Sequence, residues 1–361
     1  MISVPSCSWP VLDTWPVQES GLGYRARRIL TEHGIRTVGD VRLRLADPDF
    51  ASLSGLGPST SAEIQLYVGT CAAIVSGTLE FADLPALLRR FLNELQIEVL
   101  LRRYGLFRPD TASSRNFITL QDIGNEFDLT RERVRQIEKR AMEKLRGQLQ
   151  QHCLAPLYED ILNALKQQGN ILRCDQTAVL DNRPWLGGTK ASSVLLLLHD
   201  VAPTQYTYYR DTFSLIPISE LKRVETWAID AMGKAATPLS IKDLYQRLPS
   251  SASSLWNPTA LAHFLAAMPK VLATQDLCFA LTDRALAHWV REELDTIGAP
   301  THYRRITQAI NARLQPHQQI GPRRILLLLH SHPEFAQTQS GYYTHRKGRA
   351  SSPSEPHSVS A

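Results

Sequence analysis

The stretch DLTRERVRQIEKRAMEKLR, residues 128–146, holds more charge, in a stricter order, than a solvated surface requires. Residues 131 to 146 include seven Lys or Arg and three Glu, a local net charge of +4. Thr130 is placed to cap the free N–H groups of a helix starting at Arg131, and Glu132 in the first turn suits the helix dipole. At 100° per residue, Val134, Ile137, Ala141 and Leu145 fall on one face and form a buried stripe. Glu132 and Gln136 then lie near the centre of the opposite face, with Arg133 and Arg135 on its two margins and Arg131 at the tip. Polar readers flanked by cationic arms suit a helix lying in a DNA major groove. There Glu can accept from cytosine N4, Gln or Arg can bond purine edges, and arginines grip phosphates.

Upstream, TLQDIGNEFDL supplies the first helix of a helix-turn-helix. Thr119 and Asp122 form a capping-box pair, and Leu120, Ile123 and Phe127 make its apolar side. Gly124 permits close approach of the two helices. Asp128 occupies the turn, where it tolerates the left-handed backbone better than most residues. The competing reading is a solvated amphipathic helix whose charges pair along its own surface. The capped preceding helix and the short turn favour double-stranded DNA as the partner, with Thr130, Arg131, Glu132, Arg133, Arg135, Gln136 and Lys139 as contact residues.

LNELQIEVLLRRYGLF followed by TLQDIGNEFDLTRERVRQIEKRAMEKLR closely resembles region four of the primary-type bacterial sigma factors, over about 92 to 147. In that family a helical pair ending in RYGL precedes the helix-turn-helix that reads the promoter −35 element. The resemblance implies that Arg131, Glu132 and Gln136 face bases, while Arg133 and Arg135 hold phosphates or share base contacts. It also implies RNA polymerase core as a partner. Asp128 replaces the usual turn glycine, and FRPDTASSRNF lengthens the loop between helices. The chain shows no counterpart of the aromatic-rich helix with which sigma factors melt the −10 element, so a complete sigma factor is not expected.

Residues 1–18 contain three prolines and no periodicity, and are expected to form an irregular arm. Residues 19–77 read as a helical unit with a glycine hairpin, YRARRILTEHGIRTVGDV leading to LSGLGPSTSAEI. Backbone N–H groups at such a hairpin can bind a phosphate. This unit resembles the C-terminal domain of the bacterial RNA polymerase alpha subunit over about 20 to 68. That resemblance implies minor-groove contacts by Arg25, Gly57, Ser59 and Thr60. Pro58 removes one donor, and Ser59 stands where a lysine is usual.

Residues 80–150 carry the sigma-like unit. Beyond them, 156–216, 219–283 and 284–346 repeat a helix, helix, helix, hairpin order at a spacing of roughly 65 residues. SSVLLLLHDVAPTQYTYY in the first is echoed by RRILLLLHSHPEFAQTQSGYY in the third. The order is that of a winged helix, although the first copy lacks a clean second helix. ATPLSIKDLYQRL and GAPTHYRRITQAIN look similar to the winged-helix family shared by chromatin proteins, restriction endonucleases and the polymerase delta subunit. The third helices are apolar, which favours protein contacts over DNA. Arg323, Arg324, Arg346, Lys347 and Arg349 make the last copy the best DNA candidate. Residues 347–361, rich in Ser and Pro, are expected to be disordered.

The chain has 361 residues, 43% hydrophobic and 21% charged, enough to build several cores. Its net charge of +5 suits a polyanionic partner. Five cysteines, at 7, 71, 153, 174 and 278, show no CxxC pair, which fits a reducing cytoplasm without a zinc site. The longest aliphatic runs, VLLLL and ILLLL, are too short to span a bilayer, and the N-terminus lacks the pattern of a signal peptide. No Walker loop, HExxH or GxSxG occurs, and HSHPE at 330–334 reads as surface or core histidines rather than metal ligands. The fold expected is mainly α: helix-hairpin-helix and helix-turn-helix modules followed by small α+β winged-helix repeats. The function expected is sequence-specific DNA binding without enzymatic activity or cofactor, as a transcription regulator or sigma-like factor acting with RNA polymerase. Two other readings stand beside it. One is a DNA-targeting scaffold or specificity subunit of a DNA-processing or defence complex, with the winged repeats docking other proteins. The other is a polymerase-binding protein whose sigma-like unit touches only polymerase.

Overall fold

The computed structural model describes residues 1–106, 118–235, 237–252 and 254–346. The FRPDTASSRNF insertion and the 347–361 tail lie outside the described residues, as do Lys347 and Arg349. The fold is mainly α-helical with small antiparallel sheets of two or three strands. The chain divides into two compact units, Met1–Ile218 and Ser219–Ala361.

The first unit is built around one continuous apolar core. Leu30 and Ile64 from the hairpin region, Leu87 and Leu100, Leu145 and Leu154, and Leu197 and Phe213 all belong to it. Residues 1–18 differ from the irregular arm expected. Ile2–Ser3 pairs antiparallel with Glu80–Phe81, Trp9–Leu12 forms one helical turn, and Val17–Glu19 a 3-10 turn. Ile2, Val4, Leu12 and Val17 are buried, and that burial offsets the ordering cost of a segment without periodic pattern.

Helices Tyr24–Glu32, Val38–Leu45 and Pro58–Val75 follow. Thr37 and Asp40 cap the second in a reciprocal box. Leu84–Phe91 and Glu94–Tyr104 lead to Leu120–Phe127 and Arg131–Leu145. The next helix, Gln148–Gln167, runs straight through Pro156, where the sequence suggested a helix start. An interior proline costs about 3 kcal/mol. Leu149, Cys153 and Leu154, all buried on the N-terminal side of it, supply the offsetting packing.

Three small antiparallel sheets follow along the chain, each with the same strand order. In the first, Ile171–Arg173 pairs with Thr212–Ser214, which pairs with Thr207–Tyr209. Between its strands lie a 3-10 segment, Cys174–Leu180, and helix Ala191–Val201. In the second unit the order recurs twice. Leu239–Ser240 and Val271–Ala273 flank Cys278–Leu281, and Thr301–His302 and Phe335–Gln339 flank Tyr342–His345. The corresponding helices are Pro258–Ala267 and Pro322–Ser331.

Candidate nucleic-acid interface

Helix Arg131–Leu145 starts where its sequence demands. Thr130 accepts a hydrogen bond from the Arg133 N–H at 3.2 Å, satisfying one of the free donors of the first turn. Val134, Ile137, Ala141 and Leu145 are all buried, as their spacing requires, and Met142 joins them. Val134 and Ile137 pack with Val99 and Ile123 in a small separate cluster. Ile118, Leu120, Phe127 and Leu129 close its margin.

The turn is as tight as its residues suggest. Thr119 and Asp122 form the capping box, and Asp128 adopts φ 55°, ψ 43° at the end of Leu120–Phe127. A Cβ on Gly124 would lie 2.5 Å from the Leu129 carbonyl oxygen, so only glycine allows this approach. Two arginines before Tyr104 hold the pair from behind. Arg102 reaches Glu126 at 2.5 Å and lies over the Phe127 ring at 4.6 Å. Arg103 bonds Glu138 at 3.3 Å and the Ile118 carbonyl at 3.1 Å. Neither role was assigned from sequence, because their partners lie 15 to 35 positions away.

The outward face presents Arg131, Glu132, Arg133, Arg135 and Lys139 exposed and Gln136 half-buried. Its charges are knitted together. Glu132 takes a two-pronged contact from Arg135 at 2.7 and 2.8 Å and a weaker one from the Gln136 amide at 3.4 Å. Arg133 approaches the Gln136 carbonyl oxygen at 3.5 Å, and Lys139 pairs with Glu143 at 3.8 Å. The Arg135 guanidinium, helped by Gln136, draws the Glu132 carboxyl down to about 2. Glu132 therefore stays ionised and accepts from both Arg135 and Gln136. A carboxylate accepts about four hydrogen bonds, so it retains capacity for a base amino group.

Arg25, Gly57, Ser59 and Thr60 do lie around one hairpin. Arg25 donates to the Gly55 carbonyl at 3.2 Å, and Gly57 precedes helix Pro58–Val75 without any side-chain cap. Ser59 is exposed, but the Thr60 side chain points into the core and is 8% exposed. Thr60 can thus offer only its backbone N–H, because its position in the first turn is the one that packs inward.

Helix Ala191–Val201 packs against the helix-turn-helix segment instead of presenting an exposed face. Ala191 through Leu198 are all buried. Lys190 N–H bonds the Leu106 carbonyl at 2.9 Å, Tyr104 donates to Asp200 at 2.7 Å, and Arg146 donates to the Asp200 carbonyl at 2.7 Å. The apolar run SSVLLLL thus covers the back of the reading unit. In the second unit, Arg323, Arg324 and Leu327 of helix Pro322–Ser331 are exposed, whereas Pro258–Ala267 is mostly buried. His330 of the HSHPE segment faces the Tyr343 hydroxyl at 3.0 Å.

Comparison with known proteins falls on the same segment. Residues 91–147 match the family model of sigma-70, region 4. Two RNA polymerase sigma factors named RpoD, from Helicobacter pylori strains 26695 and J99, are each 51% identical to this chain over 56 residues. That is 16% of this chain and 8% of each relative. The family match thus covers helix Glu94–Tyr104 and the helix-turn-helix just described. Among the described residues no helix is long and apolar enough to cross a membrane, and no three His, Cys, Asp or Glu side chains gather as a metal site.

Proposed function

We propose that this protein is a sequence-specific double-stranded DNA-binding protein acting in transcription, with Arg131–Leu145 as its major-groove reading helix. The observation that carries this reading is the exposed face of that helix. Arg131, Glu132, Arg133, Arg135 and Gln136 point outward from a helix that is capped at Thr130, fixed at Gly124 and backed by a buried stripe. The match of the same residues to sigma-70, region 4 supports a link to promoters and to RNA polymerase. The hairpin with Arg25, Gly57 and Ser59 serves as a second phosphate-gripping point through backbone N–H groups, in keeping with the polymerase alpha-subunit resemblance.

On this reading, Gln136→Ala and Glu132→Ala change the preferred sequence, each lost contact costing roughly 1–3 kcal/mol. Arg133→Ala weakens all duplexes alike and lowers the salt slope by about one unit. Unaltered DNA binding in all three variants refutes the assignment. A second reading, a DNA-targeting scaffold, is favoured by the exposed Leu327 beside Arg323 and Arg324, a mixed apolar and basic face suited to a protein partner. Co-purification with core polymerase supports the regulator; co-purification with a nuclease or helicase supports the scaffold.

A further inference from the structure

A groove of about 1000 Å³ opens between helix Tyr24–Glu32 and the C-terminal half of helix Arg131–Leu145. Five cations line it: Arg25, Arg27, Arg140, Lys144 and Arg146. Among the described residues, Lys144 is matched by the Glu63 carboxylate at 3.2 Å and Arg146 feels that of Asp200, whereas Arg25, Arg27 and Arg140 have no carboxylate pair. Arg25 and Arg27 donate to the backbone carbonyls of Gly55 and Gln18, which hold the guanidinium groups without cancelling their charge, and Arg146 donates to the Asp200 carbonyl. The Arg27 Nε atom is buried and unpaired, and Arg140 is exposed. The two groove acids, Glu19 and Glu143, are engaged by Gln148 at 2.8 Å and Lys139 at 3.8 Å. Exposed Tyr24 adds a hydroxyl donor at the rim.

The two walls are locked together. A Cβ on Gly147 would meet the Gly21 Cα at 2.3 Å, so the loop entering Tyr24–Glu32 crosses the end of the reading helix backbone against backbone. Glu63 ties both sides, accepting from the Gly23 N–H at 3.0 Å while pairing with Lys144. Arg140 stands seven residues after Arg133, almost directly above it and about 10.5 Å further along the axis. The cationic edge of the reading helix therefore runs into the groove.

We propose that this groove binds the sugar-phosphate backbone of duplex DNA, with Arg140 and Arg27 as phosphate ligands, and extends the footprint beyond the base-reading tip. The inference rests on the reading of Arg131–Leu145 as a DNA-binding helix. Its prediction differs from that of the tip residues, because phosphate contacts act on every sequence alike.

The test measures affinity against salt for the full chain on a preferred and a scrambled duplex, with hydroxyl-radical footprints. Arg140→Ala should make the slope shallower by about 0.9 on both duplexes, and Arg27→Ala/Arg140→Ala by about 1.8. Protection should disappear at one flank of the footprint only. Arg28→Ala, on the same helix but outside the groove, should leave both unchanged. Because Arg140 is exposed, its single variant decides the matter even where Arg27→Ala disturbs folding. A wild-type slope and footprint for Arg140→Ala overturns the groove, including the case in which an acidic protein surface occupies it instead. A silent Gln136→Ala alongside a shallower Arg140→Ala slope would remove base reading and keep the groove.

Discussion

Gly124→Ala tests the geometry on which the reading helix depends. The new methyl group would sit 2.5 Å from the Leu129 carbonyl oxygen, about 0.9 Å inside the 3.4 Å of ordinary contact. That oxygen belongs to the backbone, one residue before the Thr130 cap, and cannot rotate away. Overpacking against a fixed atom costs about 2–3 kcal/mol, and the better helix propensity of alanine returns about 1 kcal/mol. A net local loss of about 1–2 kcal/mol follows. It should appear as roughly 5- to 30-fold faster hydrogen exchange across residues 120–137, the segment whose small core is Val99, Ile123, Val134 and Ile137. Moving Leu129 also displaces the start of the reading helix, so affinity for the preferred duplex should fall toward that for a scrambled one. Wild-type exchange and wild-type discrimination in Gly124→Ala would refute the close approach and the positioning built on it.

Other expectations follow from the same geometry. Asp128→Gly relieves a left-handed aspartate at φ 55° and should raise stability by up to about 1 kcal/mol, read by denaturant melting; a loss would show that Asp128 contributes a bond of its own. The Glu132 carboxyl, held down to about 2 by Arg135, stays ionised throughout the physiological range. Because its pKa is depressed, its contribution is present above the ordinary carboxylate value and fades only as pH falls toward 2. The affinity difference between wild type and Glu132→Gln should therefore persist from pH 8 down to about pH 4; loss of the difference as pH falls through 4.5, the ordinary glutamate value, would contradict the Arg135 pairing. Burial pushes the Cys71 and Cys153 thiols up to about 12, whereas Cys7 and Cys278 are half-buried. Alkylation at pH 8 followed by mass spectrometry should label Cys7 and Cys278 well before the other two; early loss of Cys71 or Cys153 would contradict the packing of the first unit.

Much of the interface was legible because it is local. The stripe of Val134, Ile137, Ala141 and Leu145, the Thr130 cap and the Thr119/Asp122 box all follow from spacings within one or two turns, and the structure places each as expected. The alternation of apolar helices and short β segments beyond residue 156 was legible in the same way, including the absence of a regular second helix near 174–180, where the structure has a 3-10 segment. What could not be read depends on distant partners. Arg103 meets Glu138 across 35 positions, and the first 18 residues gain their order from a strand pairing with Glu80–Phe81. Asp200 of helix Ala191–Val201 meets Tyr104 and Arg146, 96 and 54 positions away, beyond the reach of any local pattern. Helix Gln148–Gln167 continues through Pro156 because its buried neighbours outweigh a single missing hydrogen bond.

The most direct test of the central claim is selection of bound sequences from random duplex DNA with the full chain and with Gln136→Ala. A reading helix at Arg131–Leu145 requires an enriched motif for the wild type and a changed base preference at one or two positions for the variant, with overall backbone affinity retained. No enrichment by the wild type, or an identical motif from both proteins, would contradict it.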